Sequence, residues 1–200
     1  MADRVGILGG TFDPVHNGHL SAAREAVHVL KLDRLILVPA GDPWQKKAAV
    51  SASGEDRYAM ALLATATDES LDASRIEIDR EGPSYTIDTL RELSGDPGFA
   101  GSQFYFVTGA DALSGLPTWR EYPELLELAT FVGVTRPGHE LDAQLPQSGG
   151  RIKLVTIPGV EVSSTLIRRR LLDGMSVDDL TTPEVVSYIR KRGLYSQVAS

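Results

Sequence analysis

Six short β-rich runs alternate with helical patterns along this chain, and that alternation limits the fold more than any other feature. The runs are RVGIL (4–8), RLILVP (34–39), RIEID (75–79), FYFVT (104–108), TFVGVT (130–135) and IKLVTI (152–157). Helical periodicity falls at 18–31, 56–66, 86–93, 121–129, 164–172 and 182–192. In the first of these, Leu20, Ala23, Val27 and Leu30 make an apolar stripe, while Arg24, His28 and Lys31 share another face. Strands alternating with helices predict α/β architecture: an open parallel sheet with helices on both faces. Runs such as LILV, apolar at successive positions, suit strands buried on both sides. The last two helical patterns predict a small helical C-terminal part.

Three connections are longer than a turn, at 40–55, 94–102 and 136–150. The β-α rhythm resumes after each, so residues 1–200 read as a single domain. The first is long for a structureless loop, which predicts a functional segment that reorders on substrate binding. Composition removes several function classes. With no cysteine, disulfides, thiolate zinc sites and a cysteine nucleophile are excluded. A net charge of −7 argues against a nonspecific nucleic-acid binder, which needs a basic footprint. No run is long and apolar enough for a membrane span, and MADRVGILGG is too short in apolar residues for a signal peptide. A cytoplasmic protein is the expectation, and a homo-oligomer stays open.

In an open parallel sheet, ligands bind beyond the carboxyl ends of the strands, where the strand order reverses. The first strand end reads GGTFDPVHNGHL (9–20). Gly9 and Gly10 let backbone approach a ligand closely. The spacing matches neither the dinucleotide fingerprint nor the P-loop. His16 and His19 lie three apart at a helix opening, which puts both rings on one side of one turn. Imidazoles added to the positive end of a helix form a cradle for phosphate oxygens. Two solvated histidines beside a plain cap is the alternative. A zinc site is the weaker reading, because no third ligand has a matching spacing. His28 and His139 read as surface residues.

After the last strand comes VEVSSTLIRRRL (160–171). Ser163, Ser164 and Thr165 are N-cap types, and Arg168 comes about a turn later, so a second anion site is expected there. Arg169 and Arg170 read as a solvated face. After the fourth strand, TGADAL (108–113) offers Gly109 for close approach and Asp111 as a helix cap or hydrogen-bond acceptor. SYTIDTL (84–90) reads as a helix opening capped by Ser84 or Thr86, whose N–H groups suit a carboxylate.

Taken together, GGTFDPVHNGHL, EGPSYTIDTL (81–90), FVTGADAL (106–113), LPTWREYPELL (116–126), FVGVTRPG (131–138), VSSTLIR (162–168) and the closing GLY (193–195) resemble the nucleotidyltransferase superfamily. The likeness is to its bacterial nicotinate-nucleotide adenylyltransferase branch and covers nearly the whole chain. It implies a Rossmann-like sheet and transfer of AMP from ATP to nicotinate mononucleotide, with magnesium, giving deamido-NAD and pyrophosphate. It implies that Gly9, Gly10, Thr11, Phe12 and Gly18 line the ATP site, with Gly109 and Asp111 near the adenosine. It implies that His16, His19 and Arg168 hold the phosphates with Ser163, Ser164 and Thr165. Thr86 and Trp119 fall on the pyridine-nucleotide side. The family often carries Pro-Pro-His-Lys after the second strand; here Pro43-Trp44-Gln45-Lys46 stands there, with Lys46 aligned as the phosphate-facing lysine.

The implied chemistry needs no general base, since the attacking phosphate oxygen is already anionic. Catalysis is then positioning and stabilisation of charge. Phosphates beside the histidines favour protonated rings. Sister enzymes acting on nicotinamide mononucleotide or phosphopantetheine, and a nucleotide-binding regulator without turnover, are the competing readings.

Overall fold

The computed structural model describes residues 2–42, 50–135, 148–157 and 159–196. Its centre is a parallel sheet of β1 (Arg4–Gly10), β2 (Arg34–Pro39), β3 (Leu71–Ala73), β4 (Gln103–Gly109), β5 (Ala129–Thr135) and β6 (Ile152–Thr156). The strand order is β3-β2-β1-β4-β5-β6, with every neighbouring pair parallel. Val5 of β1 lies opposite Arg34 on one side and Phe104 on the other. The winding reverses between β1 and β4, so the crevice at their carboxyl ends is where a ligand belongs.

Among the described residues, seven α-helices connect and cover the sheet: α1 (Asn17–Leu30), α2 (Gly54–Thr65), α3 (Thr86–Gly95), α4 (Ala110–Ser114), α5 (Tyr122–Leu128), α6 (Ser164–Leu172) and α7 (Pro183–Arg192). Successive strand residues point to opposite faces. Leu8, Leu35, Leu37 and Val107 pack with Leu20 and Ala23 of α1, Met60 of α2 and Ile189 of α7. Ile7, Ile36, Phe106 and Phe131 pack on the other face with Ile87 and Leu90 of α3, Leu113 of α4 and Leu125 of α5. Each fully buried leucine or isoleucine contributes about 1.5–3 kcal/mol, so both layers hold the strand ends firmly. A third cluster, Val162, Ile167, Val177, Leu180 and Val186, joins α6 to α7. The Rossmann-like sheet with helices on both faces and a small helical C-terminal part is therefore the fold.

Two expectations fail locally. The run RIEID (75–79) is a turn, and the edge strand is the preceding Leu71–Ala73. Leu71 and Ala73 pair with β2, whereas Ile78 and Asp79 N–H both turn back to the Arg75 carbonyl. Arg75 also grips the Asp79 carboxylate, a bond that closes a turn but not a strand. Helix α4 lies outside the six helical patterns, in a segment where the sequence offered only Asp111 as a possible helix cap. Ser53 caps α2 by accepting from Asp56 N–H, so the 40–55 connection ends before Gly54; its residues 43–49 lie outside the described residues. Among the described residues, no helix is long and apolar enough to cross a membrane.

Candidate active site

A cleft of about 810 Å³ opens at the β1–β4 switch point. Its floor is Gly9, Gly10, Thr11 and Phe12; its walls carry His16, Gly18 and His19 from α1, and Gly109 and Asp111 from the β4–α4 junction. Ser163, Ser164, Thr165 and Arg168 of α6 close it from the other end of the chain. Thus three separated stretches of sequence share one cavity. Lys46 and His139 lie outside the described residues. His28 is exposed on α1.

The two imidazoles are built into the helix start. His16 is the N-cap of α1, with its Nδ1 accepting from His19 N–H at 3.4 Å. His19 Nδ1 accepts in return from His16 N–H at 3.3 Å, which is a capping box made of histidines. A backbone N–H can meet only a lone pair, so each ring carries its proton on Nε2. The rings stack with centroids 3.6 Å apart and planes 19° apart. Phe12 meets His19 edge-on at 4.9 Å. Two Nε2–H donors therefore stand side by side. Gly18 permits this: a Cβ there would come within 3.1 Å of His16 Nδ1 and 3.0 Å of Val162.

α6 is capped by Ser163, whose Oγ accepts from Leu166 N–H. Ser164 does different work; its hydroxyl donates to the Pro14 carbonyl at 2.8 Å and straps α6 to the β1–α1 loop. Arg168 donates to the Asp13 carbonyl at 2.7 Å and weakly to Thr165 Oγ1 at 3.4 Å. Gly109, not Asp111, is the N-cap of α4, and Asp111 sits in its first turn. The expected solvated face holds Arg169, while Arg170 pairs with Asp179 at 3.0 Å.

Beneath the cleft lie groups that carried no assigned role in the sequence. Asp13 is 2% exposed, and its carboxylate accepts from Ser51 N–H, Ala52 N–H and the Tyr195 hydroxyl. Arg57 is 1% exposed and donates to the carbonyls of Thr11 at 2.8 Å and Gly41 at 3.3 Å. Burial draws its guanidinium below the ordinary range, against the opposing charges of Asp13 and Glu77. The Asp-Pro step ahead of the histidines was a usable signal for Asp13. Arg57 had none, because its partners are carbonyls 46 and 16 positions away.

A second pocket, of about 480 Å³, is built from the connections that come after β3 and β4. Ser84, Tyr85 and Thr86 form one wall; Thr118, Trp119 and Arg120 form the other. Neither Ser84 nor Thr86 caps α3. The cap is Tyr85, without a side-chain bond, because Ser84 Oγ is taken by Gly41 N–H at 3.0 Å. The start of α3 thus lies at the pocket, which Tyr85 and Thr86 line. Trp119 meets Phe106 and Phe131 edge-on, at 6.0 and 6.1 Å, which fixes the indole against the core. The Arg120 guanidinium lies 5.0 Å from the centre of the Tyr85 ring.

Such a sheet, with helix starts, imidazoles and a guanidinium gathered at its switch point, defines an α/β enzyme of the nucleotidyltransferase class. The sequence profile of the family described as cytidylyltransferase-like matches residues 7–170. A Frankia alni protein named "Probable nicotinate-nucleotide adenylyltransferase" is 50% identical over 194 residues, covering 96% of this chain and 100% of that protein. An Acidothermus cellulolyticus protein of the same name is 46% identical over 195 residues, 96% of this chain and 94% of its own. The chain belongs to the cytidylyltransferase-like family and, within it, to the nicotinate-nucleotide adenylyltransferases. Among solved structures, the fold is similar to that of a Plasmodium falciparum nicotinic acid mononucleotide adenylyltransferase complexed with NaAD. The TM-score is 0.74 at 19% identity, over 96% of this chain and 97% of that one, a likeness of fold.

Proposed function

We propose that this chain transfers AMP from ATP to nicotinate mononucleotide, releasing pyrophosphate and forming deamido-NAD. The observation that carries the reading is the sharing of one cleft by His16, His19 and Arg168. ATP occupies that cleft, and the pyridine nucleotide occupies the pocket of Thr86 and Trp119. An anionic phosphate oxygen of the acceptor attacks the α-phosphorus of ATP in line. The new P–O bond forms as the bond to pyrophosphate breaks, and no proton has to be removed. The chain's contribution is to hold the phosphates and stabilise their growing charge. The paired Nε2–H donors, the Arg168 guanidinium and the amides opening α1 and α6 supply this. Lys46 is assigned to the substrate side by its place in the family motif.

The nicotinate ring stacks on the Trp119 indole. Its carboxylate faces the amides that open α3, where an anion is favoured and a neutral amide gains less. Magnesium enters with ATP. Among the described residues, no group of three His, Cys, Asp or Glu could hold a metal ion. A magnesium ion bound with ATP would supply positive charge that offsets that of the phosphates. Asp111 is the cleft carboxylate nearest in role to such an ion, since the Asp13 oxygens are already engaged.

Pyrophosphate release measured with a panel of acceptors tests the reading. Release with nicotinate mononucleotide, and much less with the nicotinamide form, is expected. Release with only another acceptor would move the assignment, and none with any acceptor would leave a nucleotide-binding protein without turnover.

A further inference from the structure

Arg57 sits in the first turn of α2, an unfavourable place for its charge. The positive end of the helix dipole opposes a cation there, and burial to 1% exposure adds the cost of lost hydration. Ser53, Glu55 and Asp56 around it are the residue types that such a helix start prefers. What the guanidinium holds lies outside its own helix. Nη1 donates to the Thr11 carbonyl at 2.8 Å and Nη2 to the Gly41 carbonyl at 3.3 Å. Its opposing charges come from both directions, Asp13 after β1 and Glu77 after β3.

Those two carbonyls stand where β1 and β2 part. The parallel ladder runs to Gly10 opposite Pro39, and Ala40 N–H donates to the Gly10 carbonyl at 2.9 Å. Past that bond each strand serves a different pocket. Thr11 enters the floor of the nucleotide cleft. Gly41 N–H donates to the Ser84 hydroxyl at 3.0 Å, and Ser84 N–H donates to the Asp42 carbonyl at 3.2 Å. Ser84 is part of the wall of the acceptor pocket. One planar fork therefore bridges the two chain segments that lead to the two pockets.

We infer that Arg57 is a positioning residue for adenylyl transfer: by holding the Thr11 and Gly41 carbonyls together, it fixes the spacing between the nucleotide cleft and the acceptor pocket. In-line attack depends on that spacing, because the acceptor and the α-phosphorus are held by different pockets. Buried as it is, the guanidinium touches neither substrate and acts only through main chain. A guanidinium suits the task, since its donors diverge in one plane at fixed angles that an ammonium does not reproduce. The inference rests on the proposed function, with ATP in one pocket and the pyridine nucleotide in the other.

Arg57→Lys keeps the charge but replaces the rigid fork by a rotatable point charge. With both substrates and magnesium saturating, single-turnover pyrophosphate release is expected to fall about 10²-fold, the effect of displacing reacting groups by about 1 Å. Calorimetry with a non-hydrolysable ATP analogue alone, and with nicotinate mononucleotide alone, should give affinities within about threefold of normal. Each pocket keeps its own contacts, and only their separation changes. An unchanged single-turnover rate, or an affinity loss for either ligand as large as the loss of rate, would overturn the inference. A lowered Tm with an unchanged rate in the folded variant does so too, since it leaves Arg57 a role in stability alone. Should Arg57→Lys fail to fold, a crystal structure of the unaltered protein with deamido-NAD decides. Both Arg57 bonds kept, with the product spanning the two pockets, supports the inference, and either bond broken overturns it. Failure of the proposed function shows differently: the unaltered protein would then release no pyrophosphate with nicotinate mononucleotide.

Discussion

His16 has two duties that one pair of substitutions can separate. As N-cap of α1 it accepts from His19 N–H, and as a cleft residue it presents Nε2–H. His16→Ala removes both. Losing an N-cap costs about 0.5–2 kcal/mol in general. The capping contacts here, 3.3 and 3.4 Å, are at the long end for hydrogen bonds, which favours the lower half of that range. For a chain of this size, about 1 kcal/mol lowers Tm by roughly 2–4 °C. His16→Asn keeps a side-chain acceptor of a type preferred at N-caps, so it should recover most of that loss. Both variants lose the stacked contact with His19, so the difference between their melting temperatures isolates the cap. Turnover should not recover. A preorganised donor on charge that grows in the transition state contributes about 2.7–4 kcal/mol, or a 10²–10³-fold drop in either variant. Single-turnover pyrophosphate release and thermal melting are the assays. An Asn variant within about threefold of normal turnover would refute phosphate contact by His16. Equal melting of Ala and Asn would refute the cap.

Other parts of the structure yield three more expected outcomes. Trp119→Ala should raise KM for the pyridine nucleotide at least tenfold and leave KM for ATP unchanged; equal effects in initial-rate assays would contradict stacking. Gly41→Ala places a Cβ 1.8 Å from the Glu77 carbonyl oxygen. That forced shift should cost about 1–3 kcal/mol and, because Gly41 N–H holds Ser84, also weaken acceptor binding; an unchanged Tm would refute it. Burial raises the Asp56 carboxyl, but hydrogen bonds from Ser53, Tyr188 and Arg192 outweigh that and hold it below its ordinary value. A depressed carboxyl supports the fold above its unfolded pKa of about 4 and loses that support as pH falls through the lower folded value. Asp56→Asn should therefore be less stable near pH 7 and show a shallower acid limb in denaturation; parallel limbs would speak against it.

Legibility in the sequence depended on range. Strands whose both faces are apolar announce themselves, so β1, β2, β4 and β5 were readable; β6 was readable from its β-branched run although it is a mostly exposed edge strand. Edge strand β3 was not, because only Leu71, Asp72 and Ala73 pair and RIEID imitates an alternating strand while closing a turn around Arg75. Helix starts were readable where one residue type does the capping, as with Ser163. They misled at Tyr85, where the expected hydroxyl of Ser84 is spent on Gly41. Within the cleft, local spacing revealed His16 and His19. It could not reveal that their Nδ1 atoms cap the helix, nor that Arg57 reaches Thr11. Such contacts depend on how distant backbone is brought together, which no periodicity records.

The bonds that close the cleft join remote parts of the polypeptide. Ser164 to Pro14, Arg168 to Asp13, Thr181 to Val15 and Tyr195 to Asp13 span 150, 155, 166 and 182 positions. A nascent chain emerging from a ribosome can complete most of its sheet while still blind to nucleotide, since α6 and α7 have not been synthesised. Both segments must be made before the cleft is whole. Once there, a bound nucleotide would act as a clasp between segments far apart in sequence. By mass action it slows opening of α6 and α7 more than that of the central strands.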